Sequence, residues 1–233
     1  MESDNSFIVR EFTATELLGP LNQVEEKNAP RLLFVAGDPS LARRRPRVAI
    51  VGSRRASPDG RRRAARLSRL LVQYRVTVVS GLAEGIDTEA HRAAIAADGM
   101  TIAVLGTPLS ACYPQQNREL QTTIMTKHLA VSQFPLGSAV QRRNFPLRNR
   151  TMALLSDASV IVEAGETSGA LSQGWEALRL ARPLFLMRSI VENSNLRWAA
   201  KMLDYGASVL SEPEELLESL PVAGSDDSVQ IAL

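Results

Sequence analysis

Short apolar runs that end at glycine or a polar residue, and that alternate with segments of helical periodicity, constrain this fold most. The runs are Arg47–Gly52, Val76–Ser80, Thr101–Gly106, Leu129–Gln133, Ser159–Glu163 and Pro183–Met187. A short continuous apolar run is typical of a strand that is buried on both faces. Strands that alternate with helices build a parallel sheet through right-handed crossovers. We therefore predict an α/β fold with a doubly wound, mostly parallel sheet in a single domain.

Local signals place the remaining elements. Residues 32–37 are predicted to form an edge strand, and Ser57-Pro58 is a typical helix start, with serine as the N-cap. Further helices are predicted at 117–127, 147–156 and 168–181, and Asp87 is expected to cap another.

The 233 residues suffice for one sizeable core, so we expect three regions along the chain. Residues 1–45 form a preamble with short edge elements, and residues 46–220 form the domain. Residues 221–233 are small, acidic and polar, which predicts a disordered tail.

Several classes of protein are disfavoured by the sequence. No apolar run approaches the roughly 18 residues of a membrane helix, and the N-terminus lacks a basic leader with an apolar stretch. The single cysteine, Cys112, excludes an internal disulfide and a cysteine-rich metal site. We expect a cytoplasmic protein without a membrane partner, a bound metal or a cofactor.

Arginine is strongly clustered, although the net charge is only +2. The clusters are Arg43, Arg44, Arg45 and Arg47; Arg54, Arg55, Arg61, Arg62, Arg63, Arg66 and Arg69; and Arg142, Arg143, Arg148 and Arg150. Guanidinium groups pair with phosphates through two parallel hydrogen bonds, so the clusters favour a basic, phosphate-binding face. The alternative to a phosphate-binding face is that these arginines lie on solvent-exposed helix surfaces and have no ligand.

Three loops that follow strands contain glycine and lead into helices: Gly52–Arg54, Gly81–Asp87 and Glu163–Gly169. In open α/β sheets, ligands bind beyond the carboxyl ends of the strands, where helix N-termini offer free N–H groups to anions. We predict a phosphate site there, whose residues are Gly52, Ser53, Arg54, Arg55, Gly81, Ser168 and Gly169. Ordinary tight turns are the alternative, and the first loop has no G-x-G-x-x-G dinucleotide motif.

A second candidate segment spans Asn144 to Arg150 and follows Arg143. It combines cations for phosphate with Phe145, whose flat ring is suited to stacking on a base of a single strand. The ring could equally pack into the core; its polar neighbours favour an outward orientation, from an extended segment before Pro146. Of Arg148 and Arg150, one could instead be structural and pair with a carboxylate such as Glu163.

Catalytic signatures are absent from the sequence. The two histidines, His91 and His128, belong to no H-E-x-x-H motif, and neither a Walker A nor a G-x-S-x-G motif occurs. We therefore predict a binding protein with no catalytic residues.

Six ordered motifs resemble those of the DNA-processing protein A (DprA/Smf) family over residues 13–215. They are Val48–Arg54, Val79–His91, Thr101–Gly106, Tyr113-Pro114 with Asn117, Asn144–Arg150, and Val162–Gly165 with Ser168-Gly169. The resemblance implies an extended Rossmann-like fold that binds single-stranded DNA, forms a homodimer and helps to load the RecA recombinase during natural transformation of competent cells. It also implies that Gly52, Ser53 and Arg54 grip phosphate, and that Asn144, Phe145, Arg148 and Arg150 contact DNA.

A second class has the same fold, the phosphoribohydrolases and related nucleotide sensors. These hydrolases carry a P-G-G-x-G-T-x-x-E loop with a catalytic glutamate. Residues 163–173 lack the double glycine and end in Ser172-Gln173, so hydrolysis is not expected. Sensing of a nucleotide in the same pocket stays an alternative.

Overall fold

The computed structural model describes residues 7–221, which form one mixed sheet flanked by helices. The strands are β1 (Arg10–Phe12), β2 (Leu33–Gly37), β3 (Arg47–Gly52), β4 (Thr77–Ser80), β5 (Thr101–Leu105), β6 (Leu129–Ser132), β7 (Ala158–Glu163), β8 (Leu184–Met187) and β9 (Ser208–Leu210). The α-helices are α1 (Ala14–Leu18), α2 (Gln23–Asn28), α3 (Pro58–Gln73), α4 (Ile86–Ala96), α5 (Arg118–Lys127), α6 (Asn144–Leu154), α7 (Ala170–Arg179), α8 (Arg188–Val191) and α9 (Arg197–Asp204). Short 3₁₀ helices span Pro39–Ala42, Gln115–Asn117 and Pro213–Ser219.

The strand order is β1-β2-β6-β5-β4-β3-β7-β8-β9, and β3 is the point at which the winding reverses. From β3 the chain adds β4, β5 and β6 in parallel on one side, then returns to add β7, β8 and β9 in parallel on the other. Right-handed crossovers that run in opposite directions place their helices on opposite faces. Helices α3 and α4 therefore cover one face, and α7, which packs against α6, covers the other. The predicted doubly wound sheet is confirmed.

Local sequence explains why these elements form. Val48, Ala49 and Ile50 of β3 are fully buried, as expected of a strand covered on both faces. Helix α3 begins at Pro58 after Ser57, whose hydroxyl accepts a hydrogen bond from the Gly60 N–H at 2.9 Å. Its apolar face is buried through Leu67 and Leu71, while most of its arginines face solvent.

Three sequence expectations about elements are wrong. Strand β2 is not an edge strand, because β1 pairs antiparallel with its outer side while β6 pairs antiparallel with its inner side. Helix α4 is not capped by Asp87; it begins at Ile86 after Gly85, which has a φ of 77°. Helix α6 begins at Asn144 rather than at residue 147, so Phe145 is helical and not extended. Pro146 is tolerated there because N–H groups of a first helical turn need no intrahelical acceptor.

The division of the chain at residues 45 and 220 stays a prediction, and the expected tail lies almost wholly outside the described residues. Within residues 7–221, no helix combines the length and the apolar character needed to cross a membrane.

Candidate functional site

A cavity of about 560 Å³ opens beyond the carboxyl ends of β3 and β7, at the point where the winding of the sheet reverses. Sheets of this kind bind their ligands at this position. Four segments contribute to the wall: Val51–Arg55 after β3, Ala83 and Asp87 near the start of α4, Phe145–Met152 in part along α6, and Gly165–Gln173 in part after β7. The structure thus brings together all three predicted loops, the second through Ala83 and Asp87, and the second candidate segment.

The loop after β3 has a tightly packed base and a charged, exposed tip. A Cβ atom on Gly52 would lie 2.6 Å from Cγ1 of Ile86 and 2.7 Å from the carbonyl oxygen of Glu163, so only glycine fits. The Ser53 N–H donates to that same carbonyl at 2.6 Å, which fixes the loop against β7. Arg54 and Arg55 then point into solvent at the cavity rim.

The N-terminus of α3 is already occupied by a carboxylate of the protein itself. Oε1 of Glu163 accepts the Ser57 N–H at 2.9 Å, Oε2 accepts the Ser57 hydroxyl, and the Arg63 guanidinium lies 3.8 Å from Oε2. A carboxylate at this position is stabilised by the helix dipole, as a phosphate would be. The expectation that this helix offers free N–H groups to a ligand is therefore wrong.

The loop after β7 offers hydroxyls and backbone opposite Arg54 and Arg55. Thr167 and Gly169 are exposed, and the Ser168 hydroxyl accepts the Ala170 N–H at 3.3 Å. Asn149 of α6 donates from Nδ2 to the Gly169 carbonyl at 3.2 Å, so α6 holds this loop in place. Asn149 and Thr167 line the cavity but were not singled out from the sequence; their polar side chains gave no signal distinct from ordinary loop and helix residues.

Arg148 lies beneath the cavity and joins the loop after β4 to strand β5. It is only 5% exposed, and its Nη1 donates to the carbonyls of Gly81 and, at 2.6 Å, of Val104. A Cβ atom on Gly81 would collide with this guanidinium, which explains the glycine by packing rather than by a bound phosphate. Burial lowers the pKa of Arg148, an effect that the nearby Asp87 opposes.

Asp87 is the buried acid next to this arginine. Its Oδ2 accepts the N–H groups of Gly81 at 3.1 Å and Ala83 at 3.4 Å. Burial raises the pKa of Asp87, whereas the charge of Arg148 and these hydrogen bonds lower it. The pairing of Arg148 or Arg150 with Glu163 does not occur; Arg150 Nε lies 3.3 Å from Oε2 of Glu176, outside the cavity wall.

The other predicted residues are divided between the surface and the interior. Arg143 is exposed just before α6, while Asn144 is buried at 6% exposure and does not line the cavity. In the part of the chain that the structure describes, none of Arg54, Arg55, Arg142 and Arg143 pairs with a carboxylate. These four exposed guanidinium groups are available to an anionic ligand.

Phe145 lies between the charged rim and a second aromatic ring. The Arg54 guanidinium carbon is 5.5 Å from the Phe145 ring centroid, a cation–π contact, and the Tyr113 and Phe145 centroids are also 5.5 Å apart. Phe145 is half-buried, so it is neither a core residue nor a fully open platform. Among residues 7–221, no cluster of three or more His, Cys, Asp or Glu side chains could hold a metal ion.

The fold and the cavity define a class: Rossmann-like α/β proteins with a cavity of ligand size at the reversal of the sheet. The family model described as "DNA recombination-mediator protein A" matches residues 14–221, and the chain belongs to this family.

Individual relatives agree with this assignment. Protein Smf of Synechocystis is 40% identical over 175 residues, which are 75% of this chain and 44% of that protein. The chain thus spans less than half the length of this relative. The structure of DNA processing protein A from Streptococcus pneumoniae superposes with a TM-score of 0.78 at 31% identity, over 91% of this chain and 74% of that one.

A second solved structure supports the fold alone. DNA processing protein A of Helicobacter pylori, whose structure is described as revealing a single-stranded DNA binding mode, superposes with a TM-score of 0.78 at 24% identity. The match covers 92% of this chain and 96% of that one.

Proposed function

We propose that this protein binds single-stranded DNA in the cavity at the reversal of the sheet and does so without catalysing a reaction. One observation carries the proposal: Arg54 and Arg55 at the rim, which have no carboxylate partner within residues 7–221, lie beside the aromatic pair Tyr113 and Phe145. Arginine grips the phosphates that both strands of a duplex present, but an aromatic face can stack only on a base that has left the duplex. The single-stranded DNA binding described for the Helicobacter pylori protein supports this ligand.

The absence of catalysis is supported by how the acidic groups at the cavity are used. The carboxylate of Asp87 accepts two backbone N–H groups, and that of Glu163 holds Ser57. Both histidines are buried, and burial lowers the pKa of His91 to about 3. A general base needs hydrogen-bond reach to a substrate, whereas Glu163 and Oδ2 of Asp87 are already engaged by the protein and both histidines are buried.

We further propose that the protein acts in the cytoplasm as a homodimer and presents its strand to a RecA-type recombinase, in DNA uptake and natural transformation. The family description as a recombination mediator supports the recombinase as a partner. The edge strand β9 supports association of two copies, because its outer side is unpaired within residues 7–221 and the nearby Tyr205 and Val209 are exposed. Light scattering after gel filtration and pull-down with purified recombinase test these two partners separately.

Fluorescence anisotropy with labelled oligo-dT and with a duplex of equal length tests the ligand. We expect tighter binding of the single strand and a steep fall of affinity with salt, because each neutralised phosphate releases counterions. Arg54→Ala should weaken binding by about 1.5 to 3 kcal/mol and make the salt slope shallower by about 0.7, with an unchanged melting temperature.

Arg69→Ala is the matched control. Arg69 is exposed on α3, about three helical turns from the start of that helix, and its substitution removes the same charge as Arg54→Ala. Equal losses from Arg54→Ala and Arg69→Ala would mean that only net charge matters. A flat salt response of the wild-type protein would refute phosphate binding altogether.

A second candidate, sensing of a nucleotide, is favoured by the size of the cavity. A volume of about 560 Å³ lies within the usual range for small-molecule sites. The buried Gln173 also lines this cavity, and its Oε1 accepts no hydrogen bond from any residue between 7 and 221. Competition of nucleoside phosphates against labelled oligo-dT decides between the two: micromolar displacement by a mononucleotide would favour the sensor.

A further inference from the structure

A small hollow of about 60 Å³ adjoins the main cavity. Arg54, Ala83, Phe145 and Arg148 belong to the walls of both, so the two are direct neighbours. The hollow adds a carboxylate, Glu84, and an aromatic ring, Tyr113, to its wall. It therefore differs in chemistry from the arginine-lined rim of the main cavity.

Phe145 does not have a free ring face for a ligand. The Arg54 guanidinium lies over the ring at 5.5 Å, and Tyr113 is tilted against it at 53°. Gly106 packs on another side, since a Cβ atom there would lie 2.6 Å from Cδ1 and 2.9 Å from Cε1 of Phe145. A base could stack on Phe145 only by displacing Arg54, which would sacrifice a phosphate contact.

Tyr113 has the opposite combination, an exposed ring on a fixed support. Tyr113 is 51% exposed, whereas Pro114 and Asn117, which follow it in the sequence, are buried. Nδ2 of Asn117 donates to the Leu82 carbonyl at 2.9 Å and to the Thr88 hydroxyl at 2.8 Å. These bonds tie the segment to the loop after β4, so the exposed ring is presented with little conformational freedom left to lose on binding.

We propose that Tyr113 is the base-stacking residue of this protein and that Phe145 supports it from behind. The proposal rests on the function proposed above, and it assigns the neighbouring nucleoside, rather than a second phosphate, to the hollow. The carboxylate of Glu84 in the wall repels a phosphate but accepts a hydrogen bond from the amino or imino group of a base. A strand bound with one phosphate at Arg54 thus places its adjacent base on the exposed face of Tyr113.

The test compares labelled oligo-dT with an oligonucleotide of the same length whose sugars carry no bases. Tyr113→Ala should lose on the order of tenfold or more in affinity for oligo-dT, and less than about twofold for the abasic strand. Tyr113→Phe should bind both strands as the wild type does, because stacking needs the ring and not the hydroxyl. Tyr74→Ala is the control, since Tyr74 is 54% exposed at the far end of α3.

Two results would overturn the role of Tyr113, and a third would overturn the proposed function on which it rests. Unchanged oligo-dT binding by Tyr113→Ala means that the ring contributes nothing. Equal losses on both strands mean that Tyr113 contacts or supports the backbone site, and a lowered melting temperature in the same variant confirms the structural role. If the wild-type protein binds neither strand, the proposed function itself fails, and this outcome is distinct because it appears before any variant is made.

Discussion

Arg148 provides the sharpest test of how this site is built, because its position in the sequence predicts a DNA contact while its surroundings indicate a structural role. The perturbation is Arg148→Met, which keeps most of the aliphatic volume of the side chain and removes the guanidinium. Arg142→Met is the matched control, because Arg142 is exposed in the preceding loop and carries the same charge.

The expected cost follows from the partners that are left behind. The carbonyls of Gly81 and Val104 both lose a donor in a buried setting, and each such loss costs about 1 to 3 kcal/mol. Asp87 also loses the cation that favours its charged form. Since neighbouring effects do not add fully, we expect Arg148→Met to lower the free energy of unfolding by about 3 to 5 kcal/mol.

Urea denaturation followed by circular dichroism measures this cost, and the second variant Asp87→Asn isolates the role of charge. In the Arg148→Met background, Asp87→Asn should recover part of the lost stability, because it removes the uncompensated carboxylate. Arg142→Met should change the free energy of unfolding by less than about 0.5 kcal/mol. A loss below about 1 kcal/mol in Arg148→Met, together with abolished DNA binding, would refute the structural role.

Two further predictions concern stability. Glu163→Ala should lower the free energy of unfolding by about 1 to 2 kcal/mol, because it removes the carboxylate that holds Ser57 at the start of α3, whereas Glu163→Gln should lower it less. Thermal denaturation measures both variants, and equal stability of the wild type and the two variants would contradict this capping role. Burial lowers the pKa of His91 from its ordinary 6.5 to about 3. Between these two pH values the unfolded chain is protonated at His91 while the folded protein is not, so the stability that neutral His91 contributes is complete above pH 6.5 and is lost as the pH falls towards 3. The free energy of unfolding should therefore drop by about 2 kcal/mol between pH 6.5 and 4.5, and His91→Asn should flatten this part of the pH profile even though it lowers stability at neutral pH. An equally steep profile in His91→Asn would assign the effect to other groups.

The sequence by itself determined the parallel, doubly wound sheet, because the signals for buried strands and amphipathic helices are local. The apolar run from Arg47 to Gly52 and the leucines of α3 specify burial without knowledge of their partners. The position of the candidate site was also predictable, since glycine loops at the carboxyl ends of parallel strands must meet at one edge of the sheet. The motif order that resembles the DprA/Smf family led to the family that the chain belongs to.

Only the tertiary structure decided which charged groups remain free for a ligand. Glu163 reaches Ser57 across 106 residues because β7 lies next to β3, and no local pattern reveals that strand order. Folding also leaves Arg54 and Arg55 exposed, buries Arg148 against the loop after β4 and strand β5, and pairs Arg150 with Glu176. Arginine has the same appearance in the sequence whether it binds a phosphate, a carboxylate or a carbonyl, because its role depends on neighbours that folding brings together.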